Sequence, residues 1–195
     1  MEMPNTIPQT LTQELLAEKY ATGAEKGMHI KWNPAVKKAS DREALLQGLK
    51  DNRLDIIATD HAPHTKAEKD NVYTKAPSGG PLVQHALLAM MDFVKERKLT
   101  IERMVEKMCH APAICFQVKD RGYIREGYHA DLVLVDPTAT TEVTQDNILY
   151  KCGWSPFEGH TFSSAITHTF INGTLAYHNG QFDESVRGER LLFER

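Results

Sequence analysis

Hydrophobic positions along this chain follow a helical period first and a strand period later. Residues 10–26 set Leu11, Leu15, Leu16, Tyr20 and Ala21 near a repeat of about 3.6 residues. Thr10 or Thr12 can cap its start and Gly27 stands just past its end, so an amphipathic helix is expected there. Residues 29–33 read as a short strand broken by Pro34. Residues 41–50 predict a helix, with Ser40 as N-cap and Glu43 completing a capping box. The apolar run Leu54-Asp55-Ile56-Ile57-Ala58 suits a buried parallel strand that ends at Asp60. A polar loop over 65–80, rich in Lys, Gly and Pro, leads to two further helices over 81–98 and 100–109, with Pro81 in a first turn.

After about residue 120 the pattern changes. Residues 131–136 and 165–170 read as strands, and 140–144 are rich in β-branched residues. Asn172-Gly173 and Asn179-Gly180 are hairpin-turn dipeptides. The expected organisation is therefore an α/β portion over 1–120 and a small β-rich module over 121–195 packed beside it.

The bulk numbers narrow the class. With 41% hydrophobic and 25% charged residues the composition is globular. A net charge of −3 gives no electrostatic reason to expect nucleic acid or an anionic membrane as partner. There is no apolar run long enough to span a bilayer, and the start lacks the build of a signal peptide. Cys109, Cys115 and Cys152 form no C-x-x-C pair and are expected to be buried, reduced thiols in a cytoplasmic protein. The Lys95-Glu96-Arg97-Lys98 run reads as a solvated helix end.

Candidate chemistry concentrates in Thr59-Asp60-His61-Ala62-Pro63-His64. One carboxylate and two imidazoles at a strand's C-terminal edge suit metal-assisted chemistry, with the carboxylate as metal ligand or proton acceptor. Asn33 also falls at a strand end, and the C-terminal rim is where parallel α/β architectures place their sites. The loop Ala76-Pro77-Ser78-Gly79-Gly80-Pro81 ends at the expected helix start, where backbone N–H groups could hold an anion. His85 and His110 are expected to be packing or surface groups. The other histidines show no H-x-H or H-E-x-x-H spacing.

These segments together resemble the dihydroorotase family, cyclic amidohydrolases of pyrimidine synthesis. Met3-Pro4-Asn5-Thr6-x-Pro8 looks like the family's M-P-N-T-x-P segment, and Lys31-Trp32-Asn33-Pro34 like its N-P-P strand end. Asp60 follows Asn33 by 27 residues, as in the family pattern, and Asp60 to His64 with Glu68-Lys69 matches the signature at the last barrel strand. Gly127 to Leu134, Ser155-Pro156-Phe157-x-Gly159 and Ile171-Asn172-Gly173 look like the β module amidohydrolases carry beside the barrel.

The resemblance implies a partial (β/α)8 TIM-type barrel plus the C-terminal β module. It implies Asp60 as zinc ligand and general base, and Asn5, Asn33, His64, Ser78 and Gly79 as substrate contacts. The implied reaction is reversible closure of N-carbamoyl-L-aspartate to L-dihydroorotate. A related allantoinase or dihydropyrimidinase is disfavoured by the pairing of M-P-N-T with D-H-A-P-H.

The same resemblance exposes missing parts. The family's H-x-H pair, bridging lysine and two middle histidines have no counterpart here, and Asn5 and Asn33 stand only 28 residues apart. The chain reads as an early barrel strand joined to the last two near Lys26-Gly27-Met28, with Met1 as a start added to an internal fragment. Asp60 alone supplies one carboxylate where zinc needs three or four ligands. Weak zinc binding and a tendency to associate are expected, because open strand edges are left uncovered. The alternative reading is a non-catalytic assembly subunit, for example of aspartate carbamoyltransferase; a homo-oligomer is also compatible.

Overall fold

The computed structural model describes residues 23–36 and 38–194. The candidate Asn5 and residues 10–22 of the helix expected over 10–26 lie outside the described residues, and residues 23–26 are in a 3-10 turn instead. Two 3-10 turns, kinked at Gly27, run over Gly23–Ile30. Helices follow at α1 (Ala39–Lys50), α2 (Lys66–Lys69), α3 (Ala86–Lys95), α4 (Ile101–Val105) and α5 (Ala111–Cys115). The strands are β1 (Leu132–Asp136), β2 (Thr141–Glu142), β3 (Thr161–Phe162), β4 (Ala165–Ile171), β5 (Thr174–His178) and β6 (Gln181–Phe182). Helices over residues 39–115 are followed, from residue 132 on, by a small antiparallel β module.

α3 organises the core. Ala86, Leu88, Ala89, Met90, Met91 and Phe93 are all buried, so the helix is covered almost all round. Leu46 and Leu49 of α1, Leu99, Met104 of α4, and Val143, Phe157 and Phe162 from beyond residue 140 belong to the same cluster. Asp92 ties α3 to the β3–β4 connection, accepting from Ser163 through its N–H at 3.0 Å and its hydroxyl at 2.6 Å. α4 and α5 are joined through a π turn at Glu106–His110. There the Lys107 carbonyl accepts the Ile57 N–H at 3.0 Å, anchoring the apolar run beneath the candidate site.

The two parallel strands expected in the first part are not formed among the described residues. Residues 29–30 lie in a 3-10 turn, and 31–33 and 54–58 are irregular and join no ladder. Ile56 and Ile57 are buried nonetheless, 4% and 6% exposed, so the apolar pattern reported burial correctly. A parallel strand exists only by pairing with a neighbour, and these segments find side chains and a helix carbonyl instead.

Two helix starts are also displaced. α1 begins at Ala39, with the Lys38 N–H donating to Asp41 Oδ2 at 3.0 Å, rather than capped by Ser40. α3 begins only at Ala86, so Pro81 precedes the helix. Thr100 does cap α4, its hydroxyl accepting the Arg103 N–H at 3.2 Å. Lys95, Glu96 and Arg97 are exposed, as expected of a helix end.

The β module follows the sequence closely. Its sheet is antiparallel in the order β1-β4-β5-β6. Asn172 (φ 49°) with Gly173 (φ 80°) turns β4 into β5, and Asn179 (φ 46°) with Gly180 (φ 88°) turns β5 into β6. Positive φ at both central residues is the type I′ turn these dipeptides favour. The three cysteines are free, but Cys109 is exposed and the other two half-buried, so the expectation of buried thiols fails.

Candidate functional site

The site grows from the turn that follows Ile57. Asp60 has φ 44°, a left-handed conformation that Asp tolerates better than most residues, and its side chain is at an exposed position. The turn then runs back along Gly80, with the Ala62 N–H donating to the Gly80 carbonyl at 3.2 Å.

Its two histidines do different work. His61 Nδ1 accepts the backbone N–H groups of Leu82 at 3.0 Å and Val83 at 3.3 Å. That fixes the neutral tautomer with the proton on Nε2, and partial burial lowers the imidazole's pKa in the same sense. His64 Nε2 donates to the Ser78 carbonyl at 3.1 Å, while the His64 carbonyl accepts the Trp154 indole N–H at 2.7 Å.

These bonds alter the anion site expected before α3. The N–H groups of Leu82 and Val83 go to His61, that of Gln84 goes to the Tyr150 hydroxyl at 2.9 Å, and that of His85 to the Leu82 carbonyl. Amides that are already donating cannot also hold a ligand. Gly79 behaves likewise, its N–H donating to the Lys31 carbonyl at 3.1 Å.

The loop carrying Ser78 and Gly79 is built around lysines. It opens with α2, a one-turn helix closed by a reciprocal cap: the Thr65 N–H donates to Glu68 Oε2 at 2.7 Å, and the Thr65 hydroxyl accepts the Glu68 N–H at 3.3 Å. Lys31 Nζ then donates to the Tyr73 and Ala76 carbonyls, both at 2.6 Å. Lys69 is fully buried and donates to the carbonyls of Lys31 at 2.9 Å, Pro77 at 3.0 Å and Gly79 at 2.9 Å. Burial, and secondarily the charge of Lys31, brings the Lys69 amine down to about 8. The loop lay in view in the sequence, but Lys31, Lys69 and Trp154 were missed as its framework. Thr65-x-x-Glu68 was the available signal, a capping box inside a stretch read as irregular.

Behind the turn, His85 is 2% exposed among Phe157, Phe162 and Tyr150. Burial, then the neighbouring His160, lowers its pKa to about 4, so it packs as a neutral ring. Burial also raises the Tyr150 phenol. Beside them a cleft of about 420 Å³ is lined by His61, Pro63, Thr65 and residues 149–152.

The structure thus brings His64, Ser78 and Gly79 together, with Asp60 at the head of the same turn. Asn33 is exposed two residues beyond Lys31, whose carbonyl receives Gly79 and Lys69. The family model for the amidohydrolase family matches residues 5–176. The chain belongs to that family.

Among curated relatives it is 40% identical over 152 residues to the dihydroorotase of Clostridium acetobutylicum and 42% over 151 residues to that of Halobacterium salinarum. Each match covers 77% of this chain and 36% of the relative, so the chain spans about a third of their length. Among solved structures, L-hydantoinase (dihydropyrimidinase) from Arthrobacter aurescens is similar at TM-score 0.78 and 28% identity, over 88% of this chain and 39% of that one. A D-hydantoinase structure at TM-score 0.76 and 22% identity shares the fold.

Both lines of similarity suggest a metal cofactor. Among the described residues, however, no group of three or more His, Cys, Asp or Glu side chains could hold a metal ion. Zinc needs such a set, so the described residues do not fit a zinc site by themselves. No helix among them is long and apolar enough to cross a membrane.

Proposed function

We propose that this chain carries the Asp60–His64 part of a dihydroorotase active site and acts on dihydroorotate or N-carbamoyl-L-aspartate in pyrimidine biosynthesis. The observation that carries the reading is the contact of His64 Nε2 with the Ser78 carbonyl at 3.1 Å. It joins, across 14 residues, two segments that the resemblance assigns to one substrate. The 40% and 42% identity to two dihydroorotases points the same way.

In the hydrolytic direction water adds its oxygen to the ring amide carbonyl carbon and the C–N bond breaks. Asp60 accepts one of the water's protons and returns it to the leaving nitrogen; the new carboxyl group releases the water's other proton to solvent, leaving the carboxylate of N-carbamoyl-L-aspartate. Asn5, Asn33 and His64 hold the substrate. His64 can reach a substrate carboxylate by swinging its Nε2–H from Ser78 or by donating through Nδ1. Because the Gly79 N–H is committed to Lys31, Ser78 and Gly79 contribute as a wall of the site. In this reading residues 1–120 are the barrel part and 121–195 the module beside it, in a cytoplasmic enzyme.

The lack of a metal-donor group among the described residues favours a second reading, a non-catalytic subunit that assembles with itself or with aspartate carbamoyltransferase. One experiment separates them: elemental analysis of bound zinc, with dihydroorotate hydrolysis assayed with and without added zinc. Stoichiometric zinc and turnover that Asp60→Ala abolishes establish the enzyme. A folded protein with neither refutes the claim that this chain is itself an enzyme.

A further inference from the structure

Three carbonyl oxygens from two parts of the chain, that of Lys31 and those of Pro77 and Gly79, converge within 3.0 Å of one atom, Lys69 Nζ. An ammonium has three N–H donors, and each is used. Crowded carbonyl oxygens repel one another unless a cation sits among them, and a buried ammonium is tolerated only when fully hydrogen-bonded. The Lys31 carbonyl receives the Gly79 N–H as well, so the loop end is sewn to the segment leading to Asn33.

Gly79 transmits that placement. A Cβ built on it would stand 2.7 Å from Ala62 Cβ and 3.6 Å from His64 Cδ2, so its α-carbon lies directly against the D-H-A-P-H turn. The Trp154 ring, 6.0 Å from Nζ, covers the ammonium, and its indole N–H holds the His64 carbonyl from the other side.

We propose that Lys69 is the positioning residue of this site, gathering the Lys31, Pro77 and Gly79 carbonyls so that Ser78–Gly79 and His64 are held at a fixed separation. The proposal rests on the dihydroorotase reading for what the site binds, but not for the clamp itself. Lys69 touches no reacting atom. It acts through the loop backbone.

Hydrogen exchange of the backbone amides in the purified chain tests the clamp. Lys69→Met keeps an unbranched side chain, one atom shorter, and removes all three donors. Exchange at Gly79 and Ala62 is expected to accelerate about tenfold or more, while Val143 and Asn179, whose amides bond within the later half of the chain, stay within about threefold. The Kd for L-dihydroorotate, titrated by NMR, is expected to rise about fivefold or more.

Unchanged exchange at Gly79 and Ala62 overturns the clamp. Loosened exchange with an unchanged Kd overturns the positioning role and leaves a structural one. If Lys69→Met also frees the control amides, Lys69→Arg carries the test. It keeps the charge but spreads its donors over three nitrogens, so loosening at Gly79 is expected and its absence overturns the proposal. If the unsubstituted chain binds no dihydroorotate while the Lys69 variants loosen Gly79, the dihydroorotase reading fails and the clamp stands.

Discussion

Gly79→Ala should be among the most damaging single-methyl changes in this chain. Gly79 has φ +121°, outside the region L-residues occupy comfortably, at a cost of about 1–3 kcal/mol for a residue forced there. The new methyl would also lie 2.7 Å from Ala62 Cβ and 3.1 Å from the Ala62 carbonyl oxygen. Neither neighbour is the flexible end of a side chain, so the backbone itself must move, at about 1–3 kcal/mol for overpacking. Reduced freedom of the unfolded chain returns about 0.4–1 kcal/mol. The net expectation is a loss of about 3 kcal/mol.

Gly80→Ala is the matched comparison. Gly80 lacks the positive φ, and its methyl would press only on the Trp32 ring, at 2.9 Å. A loss of about 1 kcal/mol is expected, from overpacking less the same entropic return. Urea denaturation followed by tryptophan fluorescence measures both. The chain has two tryptophans, Trp32 and Trp154, and both are buried at 3% and 2% exposure, so each changes environment on unfolding. If Gly79→Ala costs no more than Gly80→Ala, Gly79 is not held against the turn and the account of the loop fails.

Stability should fall in mild acid because of His85. Its folded pKa of about 4 lies below the ordinary value of 6.5, so between them the unfolded state binds more protons. The contribution is complete above about pH 6.5 and is lost as pH falls through about 4, on the order of 3 kcal/mol in all. Urea midpoints over that range measure it, and His85→Asn should flatten the slope. Trp154→Phe keeps most of the buried ring but leaves the His64 carbonyl without its 2.7 Å donor, a loss of about 1–2 kcal/mol in the same urea assay. A change below a few tenths of a kcal/mol would show that the indole N–H does not hold the turn.

What the sequence disclosed depended on how local the determinant was. Asn-Gly turns specify positive φ through their own two residues, so both hairpins and the strands they join could be read directly. Thr100 capping α4 is equally local. The runs at 29–33 and 54–58 carry strand-like composition, but a parallel strand is defined by a partner, and none pairs with them among the described residues. Within the site, Asp60 and His64 stood out because side-chain chemistry is visible in a sequence. The groups that hold them did not. Lys31, Lys69 and His61 act on backbone carbonyls and amides 8 to 45 residues away, and backbone atoms leave no mark in composition.

That distinction bears on how the site can recognise a substrate. Around the D-H-A-P-H turn, the polar backbone groups traced above are spent on scaffold: the amides of Ala62, Gly79, Leu82, Val83 and Gln84 donate within the protein, and the carbonyls of His64, Ser78 and Gly79 accept. A rigid backbone with its donors committed holds side chains in place but offers little to an anion itself. In the proposed reading recognition then falls to side chains on the rim, Asp60 and Asn33 at exposed positions and His64 beside them. The cost of that rigidity is concentrated in one buried ammonium. Losing Lys69 would take one donor from three carbonyls at once, whereas losing the exposed Asn33 side chain removes none of the scaffold bonds traced above. Substitutions should therefore fall into two kinds: a rim change at Asn33 that alters binding with stability unchanged, and changes at His64, Lys69, Gly79 or Trp154 that alter both together.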